Sequence, residues 1–209
     1  LGDDKLVGGA GKDTLDGGAG VDTADYSEKT TAVSVALNGA TNATVSVGGV
    51  AEDTVRNIEN VLGGSANDTL KGDTLANYLF GAAGDDFLQG MGGSDTIDGG
   101  AGLDTADYRD KTVTVDVTVN GASNVSVRVG GVIEDTLRNV ENLQGGSAAD
   151  KLTGDALANG LFGNGGNDSL SGMGGNDTLN GGLGADILSG GAGTDNFVFS
   201  SALGSGNVD

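Results

Sequence analysis

The residues of this chain that could do chemistry are acids, and they recur on a fixed beat. Between Gly145 and Val198 the sixth position of every nine-residue unit is Asp150, Asn159, Asp168, Asp177, Asp186 and Asp195. Two earlier runs keep the same step, with Asp4, Asp13 and Asp22 in the first and Asp68, Asn77, Asp86, Asp95 and Asp104 in the second. If two units make one coil of a stacked chain, residues eighteen apart lie above one another at the strand spacing of about 4.8 Å. Asp168 then stands over Asp150, Asp186 over Asp168, and Asp195 over Asp177. Two carboxylates that close repel by about 3 to 4 kcal/mol at an effective dielectric of about 20. A column of them holds together with a cation between its members. A hard divalent ion fits, liganded by the carboxylates and by carbonyls of the glycine turns such as Gly8, Gly17, Gly81, Gly90, Gly99, Gly163, Gly172 and Gly181. Calcium suits a flexible all-oxygen cage better than magnesium does.

The rest of each unit must hold these acids in place. The unit Gly190-Gly191-Ala192-Gly193-Thr194-Asp195-Asn196-Phe197-Val198 shows the plan: a glycine-rich half, then acid, spacer, apolar residue, spacer. Glycine at positions one, two and four is expected to supply positive φ for a tight turn. Triplets such as Ser169-Leu170-Ser171 and Thr178-Leu179-Asn180 put one apolar side chain between two polar ones, the alternation of a short half-buried strand. Leu70, Leu79, Leu88, Ile97 and Ala106 fill the same slot in the middle run. Asn77, with one neutral oxygen, is expected to weaken its own site, with Asp95 eighteen residues on compensating.

These units resemble the G-G-x-G-x-D-x-U-x nonapeptide of the RTX family. The resemblance implies an all-β fold, a right-handed parallel β-roll or β-helix solenoid, with several Ca²⁺ ions held between coils by the aspartates and turn carbonyls. It also implies a secreted bacterial protein, extracellular or at the cell surface, that meets a type I secretion apparatus during export.

Composition narrows the alternatives. The 209 residues include 42 Gly, no Pro, no Cys, no His and no Trp, so the core must be thin, and disulfide, thiolate and ordinary zinc chemistry are excluded. A net charge of −20 makes nucleic acid and anionic membranes poor partners, and no apolar run reaches membrane-spanning length. The chain starts inside a repeat without Met and reads as a fragment of something longer. Gly8-Gly9-Ala10-Gly11-Lys12-Asp13-Thr14 superficially matches a phosphate loop, but Asp13 stands where Ser or Thr is needed and Leu6 where Gly is needed. The Asn-x-Ser/Thr triplets, such as Asn67-Asp68-Thr69, are explained by turn chemistry rather than glycosylation.

Two stretches break the period. Residues 26–62 and 108–144 match each other at a constant offset of 82, so that Arg56-Asn57-Ile58-Glu59-Asn60 answers to Arg138-Asn139-Val140-Glu141-Asn142. In the first, residues 32–37 and 43–47 alternate like strands around Asn38-Gly39. Gly48 to Arg56 reads as a degraded nonapeptide, which makes Asp53 an added candidate ligand. The expected organisation is one elongated solenoid: roll 1–25, insert 26–62, roll 63–107, insert 108–144, roll 145–199, and a C-terminal flank from 200 to 209. The two 37-residue β-rich inserts are expected to be coils stacked on the roll, with Phe80, Phe162, Met91 and Met173 packing on them. No catalytic residue is expected. Function reads as a calcium-driven folding module of a larger secreted protein. The alternative is a stiff segment of a calcium-dependent adhesin, S-layer or filament, with self-association or polysaccharide contact through the inserts.

Overall fold

The structure, a computed structural model, describes residues 1–199, so the expected flank 200–209 lies outside the described residues. The chain divides into two compact units, Leu1–Asp104 and Thr105–Asp209. All regular elements among the described residues are strands.

The first unit holds β1 (Lys5–Leu6), β2 (Thr14–Asp16), β3 (Thr23–Asp25), β4 (Val33–Ala36), β5 (Ala43–Val47), β6 (Val50–Arg56), β7 (Asn60–Leu62), β8 (Thr69–Lys71), β9 (Tyr78–Ala83), β10 (Phe87–Gln89) and β11 (Thr96–Ala101). Consecutive strands of the roll alternate between two sheets, ordered β1-β3-β7-β9-β11 and β2-β6-β5-β4-β8-β10. Where the period is intact, partners are parallel and eighteen residues apart, as in Tyr78↔Thr96 and Thr69↔Phe87. Each triplet sends its middle residue inward, and Leu70, Leu79, Leu88 and Ile97 are fully buried in ladders of like side chains. Burying each contributes about 1.5–3 kcal/mol, which is how strands of three residues persist.

The first insert is a three-stranded antiparallel meander within one of these sheets. Val33 faces Val47 between β4 and β5, and Gly48-Gly49 (φ 58° and 78°) turns the chain from β5 into β6, the two-residue left-handed turn that suits the twist of a hairpin. β6 then lies parallel on β2 (Leu15↔Val55), and β4 lies parallel on β8 (Val35↔Leu70). In the other sheet β3 pairs directly with β7, thirty-seven residues later. The degraded nonapeptide at Gly48–Arg56 is therefore a hairpin turn running into a long strand; only its second half, from Asp53, keeps a coil's place.

The second unit repeats the plan with β12 (Thr105–Asp107), β13 (Val115–Thr118), β14 (Val125–Val129), β15 (Val132–Arg138), β16 (Asn142–Gln144), β17 (Lys151–Thr153), β18 (Gly160–Phe162), β19 (Ser169–Ser171), β20 (Thr178–Asn180), β21 (Ile187–Ser189) and β22 (Asn196–Phe197). Its sheets run β12-β16-β18-β20-β22 and β15-β14-β13-β17-β19-β21, the second carrying the antiparallel meander β13–β15. Leu152, Leu161, Leu170 and Leu179 form the buried ladders here.

The large side chains assigned to the inserts divide. Phe80 stacks on Tyr78 of its own strand, ring centroids 6.4 Å apart, and the Phe162 ring lies against Gly160. Met173 is 57 % exposed and lines an open cavity of about 640 Å³ beside Val119, Asn120 and Val125 of the second insert.

Candidate metal sites

Each turn delivers its acid to the same place. The Oδ1 atom of the position-six aspartate accepts the backbone N–H of the residue eighteen earlier. In the first unit Asp22 accepts from Asp4 (2.8 Å), Asp86 from Asp68 (2.7 Å), Asp95 from Asn77 (2.8 Å) and Asp104 from Asp86 (2.8 Å). In the second, Asp168 accepts from Asp150 (2.7 Å), Asp177 from Asn159 (2.9 Å), Asp186 from Asp168 (2.8 Å) and Asp195 from Asp177 (3.1 Å). The picture of bare carboxylates facing one another needs this correction: one oxygen of each is spent on the neighbouring coil's main chain, and the other carries the electrostatic problem.

That second oxygen turns towards the first glycine of its own unit. Asp22, Asp86, Asp168 and Asp177 are 0–2 % exposed, and their Oδ2 atoms are buried without a hydrogen-bond partner. A Cβ added to Gly163 would lie 2.2 Å from Asp168 Oδ2 and 2.6 Å from the carbonyl oxygen of Gly181 in the next coil. The same pairing recurs at Gly81 with Asp86 and the Gly99 carbonyl, and at Gly172 with Asp177 and the Gly190 carbonyl. The carbonyls of Gly81, Gly90, Gly163 and Gly172 also point at the first glycine of the coil before.

Glycine at position one is thus present for space, not for φ. Its φ is never in the left-handed region, whereas positions two and four adopt it in the turns that keep Gly at position four, as at Gly182 (φ 94°) and Gly166 (φ 117°); Gly64 and Gly146, at position two of turns without that glycine, do not. The expectation that all three glycines serve φ is corrected accordingly. Ala82, Met91, Asn164 and Met173 hold position two at φ 70–81°, a conformation that costs a residue with Cβ about 1–2 kcal/mol.

Burial without a partner is costly for a carboxylate. Asp86 is pushed up to about 7, first by burial and then by Asp104, Asp68 and Asp85, against the lowering effect of its backbone hydrogen bond. Asp168 is likewise pushed up to about 7, by burial and by Asp150 and Asp186. Burial also raises Asp177. The donors at each cradle are oxygens, and the chain has no cysteine thiolate and no imidazole to offer. Among the described residues no three acidic side chains gather at one point, so a cradle combines carboxylate with glycine carbonyls. A hard divalent cation fits this set of oxygens, and calcium suits a flexible all-oxygen cage.

The remaining candidates are placed differently. Asp68 and Asp150 have both oxygens hydrogen-bonded, to the N–H groups of Val33 and Gly64 and of Val115 and Gly146. Asp4 is exposed, and Asp13 and Asp195 are half-buried. Asn77 and Asn159 are not simply weakened acids. Their Nδ2 atoms donate to the carbonyls of Glu59 and Glu141, each at 2.9 Å; an aspartate has no donor to offer there. Asp53 is buried at 2 %, accepting the Asp13 N–H on Oδ1 (2.9 Å) and the Tyr26 hydroxyl on Oδ2 (3.3 Å). Glu59, which accepts the Asp22 N–H at 2.8 Å, was not foreseen: it lies thirty-seven residues from Asp22, off the nine-residue beat.

A parallel roll of nonapeptide coils with carboxylate–carbonyl cradles defines the class of calcium-binding repeat modules. The RTX calcium-binding nonapeptide repeat matches in four copies, over residues 1–25, 62–88, 72–106 and 162–197, just over half of the chain, and the chain belongs to that family. No characterised protein sequence matches it significantly. Among solved structures it is similar to the crystal structure of the extracellular lipase LipA from Serratia marcescens, at 24 % identity and a TM-score of 0.35. That match covers 67 % of this chain and 28 % of the lipase chain.

Proposed function

We propose that this chain is a calcium-driven folding module of a larger secreted bacterial protein, exported through a type I system and closed into its roll by Ca²⁺ outside the cell. The ions sit between coils, on Asp86, Asp168 and Asp177 with the carbonyls of Gly99, Gly181 and Gly190. The observation that carries the reading is the buried, unpartnered Oδ2 of Asp86, Asp168 and Asp177, each facing the same glycine as a glycine carbonyl one coil on. Without a cation these carboxylates oppose closure, and the chain's 42 glycines add to the entropy lost on folding. With calcium the binding free energy becomes folding free energy. The module works as ballast and clamp, and does no catalysis itself.

Far-UV circular dichroism tests this directly. Chelation with EGTA should abolish most of the strand signal and added Ca²⁺ should restore it. A strand signal indifferent to chelation would end the proposal.

A further inference from the structure

The first insert interrupts the ladder directly above Asp22, and what it places there is specific. In an unbroken coil two things lie beyond the cradle: the next coil's glycine carbonyl, and a carboxylate that accepts the aspartate's N–H. For Asp168 these are the Gly181 carbonyl and Asp186 Oδ1 at 2.8 Å. For Asp22 the residue eighteen on is Ala40, in the insert's first turn, and no nonapeptide stacks there. The carbonyl oxygen of Asn57 takes the glycine's part instead: it lies 2.1 Å from the position of a Cβ on Gly17, while Asp22 Oδ2 lies 2.6 Å from the same point. Glu59 takes the aspartate's part, with Oε2 accepting the Asp22 N–H at 2.8 Å.

Asn57 is fixed for this task. Its φ of 49° is left-handed, its N–H donates to the Gly39 carbonyl at 2.7 Å, and its side-chain amide donates to Asp16 at 2.7 Å. Glu59 is fixed too, its own N–H donating to the Asp22 carbonyl at 3.0 Å. Asp22 is 0 % exposed and its Oδ2, which faces this arrangement, has no hydrogen-bond partner.

The geometry points to a divalent-cation site completed by the insert rather than by a further nonapeptide, with Asp22 Oδ2 and the Asn57 carbonyl facing Gly17, the Glu59 carboxylate beside them at the Asp22 N–H, and calcium as its ion. It rests on the calcium reading above and extends it: the insert takes over one coil's metal chemistry, so that its order depends on the same ion as the roll. Asn139 and Glu141 hold the corresponding places in the second insert's sequence, and Asn139 has the same left-handed φ, 50°.

Counting bound Ca²⁺ on the whole chain by equilibrium dialysis tests it, with Glu59→Gln as the variant and Glu28→Gln as the control. Glutamine still accepts the Asp22 N–H but removes the charge; Glu28 is in the same insert and off the site. Glu59→Gln should bind one ion fewer than wild type, and Glu28→Gln should match wild type. An unchanged count in Glu59→Gln, or an equal loss in both variants, would overturn the assignment. Independently of any variant, a crystal structure of the wild type grown in calcium should show an ion bonded to Asp22 Oδ2 and the Asn57 carbonyl. Ions elsewhere in the roll but none there would overturn this site and leave the module's function standing; no calcium bound anywhere would sink the function itself.

Discussion

Gly163 and Gly165 belong to the same turn, and alanine should act on them with opposite sign. A Cβ at Gly163 would sit 2.2 Å from Asp168 Oδ2, on a carboxylate held by the Asp150 N–H, and 2.6 Å from the Gly181 backbone carbonyl, both well inside contact distance. Relief requires the carboxylate to swing away or the coils to part, and overpacking of this kind costs about 1–3 kcal/mol. The same atom fills the cradle, so the variant should also forfeit its ion. At a free calcium concentration about a hundred times the dissociation constant, a lost site removes about 2.7 kcal/mol of linked stability. At Gly165 the nearest atom to an added Cβ is Ser147 Cα at 3.8 Å, and φ lies outside the left-handed region. There alanine only narrows the unfolded ensemble and should stabilise by about 0.4–1 kcal/mol. Thermal unfolding followed by circular dichroism in saturating Ca²⁺, with bound calcium counted in parallel, reads both effects. Gly163→Ala should melt lower and bind one ion fewer; Gly165→Ala should melt at or above wild type with its ions intact. Equal behaviour of the two variants, or full calcium loading of Gly163→Ala, would contradict the cradle.

Restoring the repeat's consensus acid should do harm where the ladder reverses polarity: Asn159→Asp replaces the donor to the Glu141 carbonyl with a second acceptor, and urea unfolding in calcium should show a loss of about 1–3 kcal/mol. Proton linkage gives a second expectation. Asp86 and Asp168 are raised to about 7 from an ordinary value of 3.8, so the folded chain holds protons that the unfolded chain releases. Their contribution to stability is therefore fully present below about pH 4 and lost as pH rises through about 7. In EGTA, strand content should be higher at about pH 5 than at about pH 7.5, while calcium affinity should be lower at about pH 5 than at about pH 7.5 because protons compete for the same oxygens; titrations at the two pH values check both.

How much of this was legible in the sequence follows from how far each decisive interaction reaches. The nine-residue period fixed the parallel stacking, the eighteen-residue register and the inward row of Leu70, Leu79, Leu88 and Ile97, because each coil touches only its neighbours and every coil is alike. It also located the acids, since charge on a strict beat must be answered at every level. Which carboxylate oxygen meets an N–H and which faces a carbonyl is a matter of hydrogen-bond direction across the coil boundary, and one-letter spacing carries no direction. The amide of Asn159 shows this: a fault by pattern, it is the needed donor once Glu141 presents its carbonyl. The splice of β4–β6 into a single sheet, and the meeting of Asn57 and Glu59 with Asp22, depend on a path thirty-seven residues long whose end-point only packing sets. Local preference determined the coil; the contacts between coils determined what each oxygen does.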